Sequence, residues 1–141
     1  MTADDLVGTW TLVTFETRDE DGQATHPFGR DAVGFLTYTA EGRMAVQFGR
    51  AERARVTGGD WVNGGDAEIA AAGRDYFAYC GAYELRDGAV IHRVESSLMP
   101  NWIGKEQVRL ATLEGDTLTL ATPPLPIGGD QRVAHLVWRR V

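Results

Sequence analysis

The sequence predicts an all-β fold, an eight-stranded antiparallel up-and-down barrel with one helix near residues 66–79. Three observations predict it. Glycine-containing pairs separate segments rich in Val, Leu, Thr and aromatic residues, as in short β-hairpins. One segment alone departs from the two-residue period that strands show. A run of antiparallel strands with short turns also removes its exposed edges when the last strand pairs with the first.

Four pairs mark the predicted hairpin corners: Asp21-Gly22, Glu41-Gly42, Asp87-Gly88 and Gly115-Asp116. The predicted strands span residues 6–17, 33–39, 43–48, 80–86, 89–97, 105–113, 116–122 and 131–140. About eight strands enclose room for side chains or for one small ligand. A two-sheet sandwich is the alternative, but it needs longer crossings between its sheets than these corners provide.

The helix is predicted where apolar groups recur at three- and four-residue spacing, over residues 66–79. Asp66 is the expected cap of its first turn, and Glu68 lies near the positive end of the helix dipole. The preceding residues 49–65 contain two Gly-Gly pairs and Trp61. They predict a long mobile loop, either a lid over a ligand or a disordered segment.

Composition and charge exclude several classes of partner. The 141 residues form one predicted domain, and 14 Lys and Arg against 20 Asp and Glu give a net charge of -6. Such a chain lacks the basic surface that nucleic acid binding requires. No apolar stretch is long enough to span a membrane, and the first residues lack the pattern of a signal peptide. A cytoplasmic protein without nucleic acid or membrane partners is therefore expected, and the oligomeric state is left open.

Cofactor, metal and disulfide chemistry find no support in the sequence. Cys80 is the single cysteine, which excludes an internal disulfide and predicts a buried, inert thiol. His26 and His135 do not have the spacing of paired metal ligands. The glycine pairs at 58–59 and 64–65 do not complete a nucleotide-binding motif. We therefore expect no cofactor and no metal.

Short motifs along the whole chain resemble the bacterial and fungal lipocalin-like domain family, a group of calycin-type barrels. They are Gly8-Thr9-Trp10, Pro27-Phe28-Gly29, Gly34-Phe35-Leu36-Thr37-Tyr38, Gly42-Arg43-Met44-Ala45-Val46-Gln47, Tyr79-Cys80-Gly81-Ala82-Tyr83, His92-Arg93-Val94, Pro100-Asn101-Trp102-Ile103-Gly104 and Trp138-Arg139-Arg140. The chain departs from secreted lipocalins, since it lacks their secretion signal, disulfides and Thr-Asp-Tyr motif.

The resemblance implies that Trp10 closes the barrel floor and that Arg139 or Arg140 covers it. It also implies a cavity for a small molecule, without fixing the ligand. Some similar small barrels in natural-product pathways catalyse cyclisations or isomerisations, so the resemblance leaves an enzymatic role open.

Candidate site residues come from side-chain alternation on two predicted neighbouring strands. His92 and Ser96 share one face of the fifth strand, and Gln107 and Arg109 share one face of the sixth. If these faces point inward, they form a polar stripe on the cavity wall. Apolar groups on the opposite wall would then be Met44, Val46 and Phe48. In the alternative, His92, Gln107 and Arg109 face solvent while Ile91, Val108 and Leu110 face the core.

The connection after the fifth strand supplies two further candidates. Asn101 and Trp102 follow Pro100 on a segment too long for a tight hairpin, and they are expected at the barrel rim. The Trp102 indole either covers a ligand or seals one end of the core.

Three functional hypotheses follow. The first is binding of one small hydrophobic or amphipathic molecule, mostly apolar with a polar end, inside the barrel. The alternative is a cofactor-free isomerase or cyclase acting on a polyketide-like or polyene-like substrate. In that enzyme His92 would act as general acid or base, and Arg109 would stabilise an enolate or carboxylate. The third is an interaction module, whose mark would be a filled barrel with an exposed apolar patch.

Overall fold

A computed structural model describes residues 1–141. Its elements, in chain order, are α1 (Ala3–Leu6), β1 (Gly8–Arg18), β2 (Ala24–Thr25), β3 (Val33–Tyr38), β4 (Arg43–Gly49), α2 (Asp66–Arg74), β5 (Tyr76–Arg86), β6 (Ala89–Ser97), the short 3₁₀ turn Pro100–Trp102, β7 (Glu106–Glu114), β8 (Thr117–Ala121), β9 (Leu125–Ile127) and β10 (Asp130–Arg140). Neither α-helix has the length and apolar character needed to cross a membrane.

Eight of these strands form a closed antiparallel barrel, which confirms the predicted fold class. The order around the barrel is β1-β3-β4-β5-β6-β7-β8-β10, and β10 pairs back onto β1. The pairing of β1 with β10 runs from Trp10 opposite Arg140 to Arg18 opposite Val133. It has an irregularity between Leu12 and Thr14. Because β1 and β10 pair, the barrel itself has no exposed strand edge. The short strands β2 and β9 are additions that pair with β1 and β10.

Strand alternation positions the core. Along β10, the buried residues Ala134, Leu136 and Trp138 alternate with residues that are exposed or half-buried. Inward side chains therefore come from every second residue, as the pleat of a strand requires. This period is why six of the predicted strands match the observed ones within one residue at each end.

The helix differs from its prediction. It ends at Arg74, not at residue 79, and Asp66 is its first residue while Gly65 occupies the cap position. Residues 76–79 are strand, because they pair with Val46 to Gly49 of β4. Long-range pairing with β4 here outweighs a short stretch of helical spacing. Leu6 likewise belongs to α1 and not to the first strand.

The segment 49–65 lies against α2. Arg50 binds Asp75 at 3.0 Å, Arg53 donates to the Ala72 carbonyl at 2.7 Å, and Thr57 donates its backbone N–H to Glu68 at 2.7 Å. Trp61 is 83% exposed. Cys80, predicted to be buried at a helix end, lies within β5 and is half-buried.

One end of the barrel is closed by the first and last strands together with α1. Trp10 is fully buried, and its indole N–H donates to the Leu6 carbonyl at 2.9 Å. The guanidinium of Arg140 lies 4.1 Å from the centre of the Trp10 ring. It also donates to the carbonyls of Val7 at 2.9 Å and Asp5 at 2.6 Å. Of the two arginines considered for this role, Arg140 covers Trp10, and Arg139 is exposed on the opposite face of β10.

Candidate functional site

The other end of the barrel holds a cavity of about 520 Å³. This volume lies within the usual range for small-molecule sites. Its wall is formed by 21 residues, of which 15 are hydrophobic. A filled barrel without a cavity, the mark of the interaction-module hypothesis, is therefore not what the chain forms.

Aromatic rings form much of the cavity wall. They contact each other edge to face or at a tilt: Phe15 and Phe48 at 5.1 Å between ring centres, Phe15 and Phe28 at 5.4 Å, and Phe77 and Trp102 at 4.9 Å. Such packing fixes the ring orientations and adds stability beyond area burial. The wall is thus apolar and preorganised, which suits a flat, largely apolar ligand.

Neighbouring strands β6 and β7 bring the predicted polar residues onto one inward face. His92 pairs with Gln107, and Val90 pairs with Arg109. His92 is 1% exposed and Arg109 is 6% exposed, and both line the cavity with Gln107. The alternative in which these residues face solvent is wrong for His92 and Arg109. Leu110, which it placed in the core, is 55% exposed, although Ile91, which it also placed there, is buried.

His92 is held by two tyrosine hydroxyls. Tyr38 lies 2.7 Å from its Nε2, and Tyr79 lies 2.8 Å from its Nδ1. A neutral imidazole has one N–H donor and one acceptor nitrogen, so one tyrosine accepts a hydrogen bond from the ring and the other donates to it. Both ring nitrogens are therefore occupied within the protein.

Burial, and secondarily the charge of Arg109, lowers the pKa of His92 to about 3. Burial also raises the pKa of Tyr38 well above its ordinary value, with a further contribution from Tyr79. At neutral pH the imidazole is uncharged and the Tyr38 hydroxyl keeps its proton. Because each ring nitrogen is already hydrogen-bonded to a tyrosine hydroxyl, neither is free to contact a molecule in the cavity.

Arg109 is the one charged residue of the cavity wall, since no Asp, Glu or Lys lines it. Its guanidinium donates to the Val108 carbonyl at 2.9 Å and makes a long contact of 3.4 Å to the Tyr79 hydroxyl. It lies 5.8 Å from the centre of the Trp102 ring and forms no ion pair with any carboxylate. A guanidinium has five N–H donors. Several donors are thus free for an acceptor on a ligand.

Two neutral polar groups accompany Arg109. Gln107 lies two residues away on the same inward face, and its side chain makes no hydrogen bond to the protein. Thr122 directly follows β8. Because Ala121 of β8 pairs with Leu110 of β7, Thr122 lies beside Arg109 on the neighbouring strand. Its hydroxyl oxygen accepts a hydrogen bond from the Ala134 N–H at 2.9 Å, and its own O–H proton has no partner in the protein.

The structure brings together some of the predicted site residues and separates others. Lining the cavity are His92, Arg109, Gln107, Trp102, Val46 and Phe48. Outside its wall lie Met44, Ser96 and Asn101. Met44 is buried in the closed half of the barrel, opposite Tyr38. Asn101 is exposed on the 3₁₀ turn.

Ser96 is exposed because β6 carries a bulge. Cys80 pairs with Ser96 and Gly81 pairs with Val94, so Glu95 is an extra residue that shifts the alternation. Gly81 permits this arrangement, since a Cβ there would lie 1.9 Å from the Arg93 carbonyl oxygen. The shift turns Ser96 away from the face that holds His92 and Val94.

Sequence reasoning missed several members of the site. Tyr38 and Tyr79 lie in motifs that carried the family resemblance, but their contact with His92 joins residues 54 and 13 positions apart. Phe15, Phe28 and Phe77 are also absent from the predicted site. Their inward-facing aromatic character was the available signal. No group of three or more His, Cys, Asp or Glu side chains is placed to hold a metal ion.

Comparison with known proteins agrees with this geometry. The family model described as a lipocalin-like domain matches residues 7–141. The chain is similar to the 4'-hydroxy-3'-methoxypropiophenone carrier protein ppsC of Aspergillus oryzae, with 38% identity over 107 residues that cover 70% of this chain and 96% of the relative. No solved structure gives a significant match.

Proposed function

The chain belongs to the lipocalin-like domain family, and from this premise we propose that it is a carrier for one small molecule. The bound molecule is mostly apolar, has a polar end, and lies inside the barrel. The single unpaired cysteine fits a reducing compartment, so the cytoplasm is the proposed location.

The observation that carries this proposal is an apolar cavity with one unpaired cation on its wall. The aromatic lining favours an apolar ligand body. The free donors of Arg109, with the nearby amide of Gln107, favour an acceptor group at one end of the ligand. These two features together define an amphipathic ligand with a fixed orientation.

The relative from Aspergillus oryzae supports an aromatic ketone as the class of ligand. Its name describes a carrier for a methoxylated 4'-hydroxyphenyl ketone. Such a molecule combines a flat apolar ring with hydroxyl and carbonyl oxygens, and both parts have counterparts in the cavity. We therefore propose hydroxylated phenyl ketones as the first ligands to test.

A carrier accounts for the site better than a cofactor-free isomerase or cyclase. Both nitrogens of His92, the residue proposed as the acid or base of such an enzyme, are occupied by tyrosine hydroxyls, which favours a structural role for this side chain. Arg109 then serves to hold the ligand, which is what a carrier needs.

The proposal is tested by titrating the protein with 4'-hydroxy-3'-methoxypropiophenone. Trp102 and Trp138 line the cavity, so binding is expected to change tryptophan fluorescence. Ala134→Phe narrows the cavity and is expected to weaken binding. The matched control is His135→Phe, which adds a ring on the outer face of the same strand and is expected to bind normally.

Analysis of the recovered ligand separates the two functions. A carrier returns the ligand unchanged after long incubation, whereas an isomerase or cyclase returns a rearranged product. Absence of binding by this ketone and by a general apolar fluorescent probe would refute the cavity as a ligand site.

A further inference from the structure

If the chain carries a hydroxylated aromatic ligand, as proposed above, the cavity also determines the ionisation state of that ligand. We propose that the cavity binds its aromatic ligand as an oxyanion, namely a phenol that has lost its proton, with the phenolate oxygen on Arg109. On binding, the phenol O–H bond breaks, the oxygen keeps the electron pair, and the proton passes to solvent.

The charge of the cavity wall is not balanced within the protein. Arg109 is 6% exposed and has no carboxylate partner. The titratable groups that surround it are Tyr79 on β5, His92 on β6 and Tyr38 on β3, and none of them is a carboxylate. A buried cation without a partner is costly. An anionic ligand offsets that cost, whereas a neutral ligand does not.

Burial and the charge of Arg109 act in opposite directions on the pKa of a bound phenol. Moving a phenol into an apolar cavity favours its neutral form, while a positive charge within about 4–6 Å favours the ionised form by about 1–3 pH units. Attraction prevails here because the guanidinium is itself desolvated and no acidic residue on the wall competes for it. A charge-assisted hydrogen bond from Arg109 to the phenolate oxygen adds to the effect.

The surroundings of Arg109 favour a phenolate over other anions. The wall beside Arg109 is aromatic, with the Trp102 ring against the guanidinium and Phe77 against Trp102. A phenolate is planar, and its charged oxygen is bonded directly to the ring. Such a ring fits among these aromatic groups. The ligand named for the Aspergillus oryzae relative has a ring hydroxyl and no carboxylic acid.

The experiment uses 4'-hydroxy-3'-methoxypropiophenone and its 4'-methyl ether, 3',4'-dimethoxypropiophenone, with the complete chain. A phenolate conjugated to a ketone absorbs at longer wavelength than the neutral phenol. The titration is done at a pH about one unit below the pKa of the free ligand, where most of the free phenol is neutral. We expect the phenolate absorption band to appear when the phenol binds. The bound phenol is expected to titrate about 1–3 pH units lower than the free phenol.

The methyl ether provides the matched ligand, because it cannot ionise. Its affinity is expected to be independent of pH between 5 and 9, while affinity for the phenol falls as the pH drops below the pKa of the free phenol. His92 does not contribute to this dependence, since its pKa of about 3 keeps it neutral over the whole range.

Three variants assign the effect to one residue. Arg109→Gln removes the charge, and we expect loss of the phenolate band and about 10- to 100-fold weaker binding of the phenol. Arg109→Lys keeps the charge and is expected to retain the band. Arg139→Gln removes one positive charge from the outer face of β10 and is expected to behave as the parent protein.

The outcomes separate this inference from the proposed function. If both ligands bind with equal affinity and the bound phenol keeps its neutral spectrum, the oxyanion inference is overturned while the carrier function stands. If Arg109→Gln retains the phenolate band, Arg109 is not the group responsible and the inference is also overturned. If neither ligand nor an apolar fluorescent probe binds, the carrier function itself fails.

Discussion

An arginine lies beside a tryptophan at two places in the barrel, and the two pairs differ in how many arginine donors are used. At the closed end, Arg140 lies 4.1 Å from the Trp10 ring centre and donates to two backbone carbonyls. On the cavity wall, Arg109 lies 5.8 Å from the Trp102 ring centre and makes one good hydrogen bond, to its neighbour's carbonyl. The same residue pair thus closes the fold in one place and lines a cavity with free arginine donors in the other.

The difference teaches that unfilled hydrogen-bonding capacity, and not residue type, distinguishes a site from a structural contact. Arg140 also lies 3.8 Å from the carboxylate of Asp116, so its charge has a partner. Arg109 has none. Four predictions test whether the closed end serves stability while the cavity wall serves binding, and a fifth maps the rim of the cavity.

The largest effect is expected at the closed end. Trp10→Ala removes a fully buried indole and its hydrogen bond to Leu6, which should lower the free energy of unfolding by about 3–5 kcal/mol. Denaturant titration measures this value. Trp102→Ala is the comparison on the cavity side, and it should cost less because Trp102 is half-exposed. An unchanged melting temperature for Trp10→Ala would contradict the structural role of the closed end.

The next effect is on binding. Arg109→Gln should weaken binding of a hydroxylated phenyl ketone by about 1.5–3 kcal/mol, because a charged hydrogen bond is lost. It should not lower the stability of the ligand-free protein, because the cation it removes is buried and unpaired. Calorimetric titration and thermal melts measure the two quantities. Lower stability with normal affinity would assign Arg109 a structural role.

Arg140→Gln should show the reverse pattern. The carbonyls of Val7 and Asp5 lose their donor, so we expect about 1–3 kcal/mol lower stability. Ligand affinity should remain that of the parent protein, because Arg140 does not line the cavity. If this variant bound ligand weakly while remaining fully folded, the separation between the two regions would be incorrect.

The pH dependence of stability should report the burial of His92. Its pKa is about 3 in the folded protein and 6.5 when unperturbed, so the unfolded chain binds the proton more readily. The stabilising contribution is therefore complete above about pH 6.5 and is lost as the pH falls from there towards 3. At pH 5 the loss is about 2 kcal/mol, from roughly 1.4 kcal/mol for each pH unit.

Carboxylates also titrate below pH 5, so the measurement compares the parent protein with His92→Gln by urea unfolding at pH 7 and pH 5. The variant should lack the part of the pH dependence that His92 contributes. Identical pH dependence of the two proteins would show that His92 titrates alike in the folded and unfolded chains.

The smallest effect concerns the rim of the cavity. Met99 and Trp102 line the cavity, whereas none of residues 50–65 does. Ligand binding should therefore slow hydrogen exchange in residues 98–103 more than in residues 50–65. Slower exchange in the latter segment would instead support the lid that the glycine pairs of this loop predict.

Local patterns were sufficient to predict most of the barrel. The positions of Gly42 and Gly88 mark hairpin turns, and both adopt φ of 80°. Side-chain alternation then placed His92, Gln107 and Arg109 on matching faces. These features depend on neighbouring residues in the chain, so a sequence pattern is enough to detect them.

The prediction failed where long-range contacts overrode local spacing. Residues 76–79 have helical periodicity but extend β5 because β4 offers a pairing partner. The bulge at Glu95 turns Ser96 outward, and only the backbone packing opposite Gly81 explains it. Neither effect has a reliable signal in one sequence.

The sequence by itself determined the eight barrel strands, apart from the start of β5, and their order, but not the short strands β2 and β9. It also supplied a tryptophan and an arginine where the first and last strands meet. Only the tertiary structure decided which arginine covers Trp10 and which one is left with free donors in a cavity. It also placed Tyr38 and Tyr79 on the two nitrogens of His92, and it buried that residue near Arg109, which lowers its pKa. The physical reason is that strand formation follows from local side-chain pattern, whereas burial, hydrogen-bond partners and pKa depend on groups brought together from distant strands.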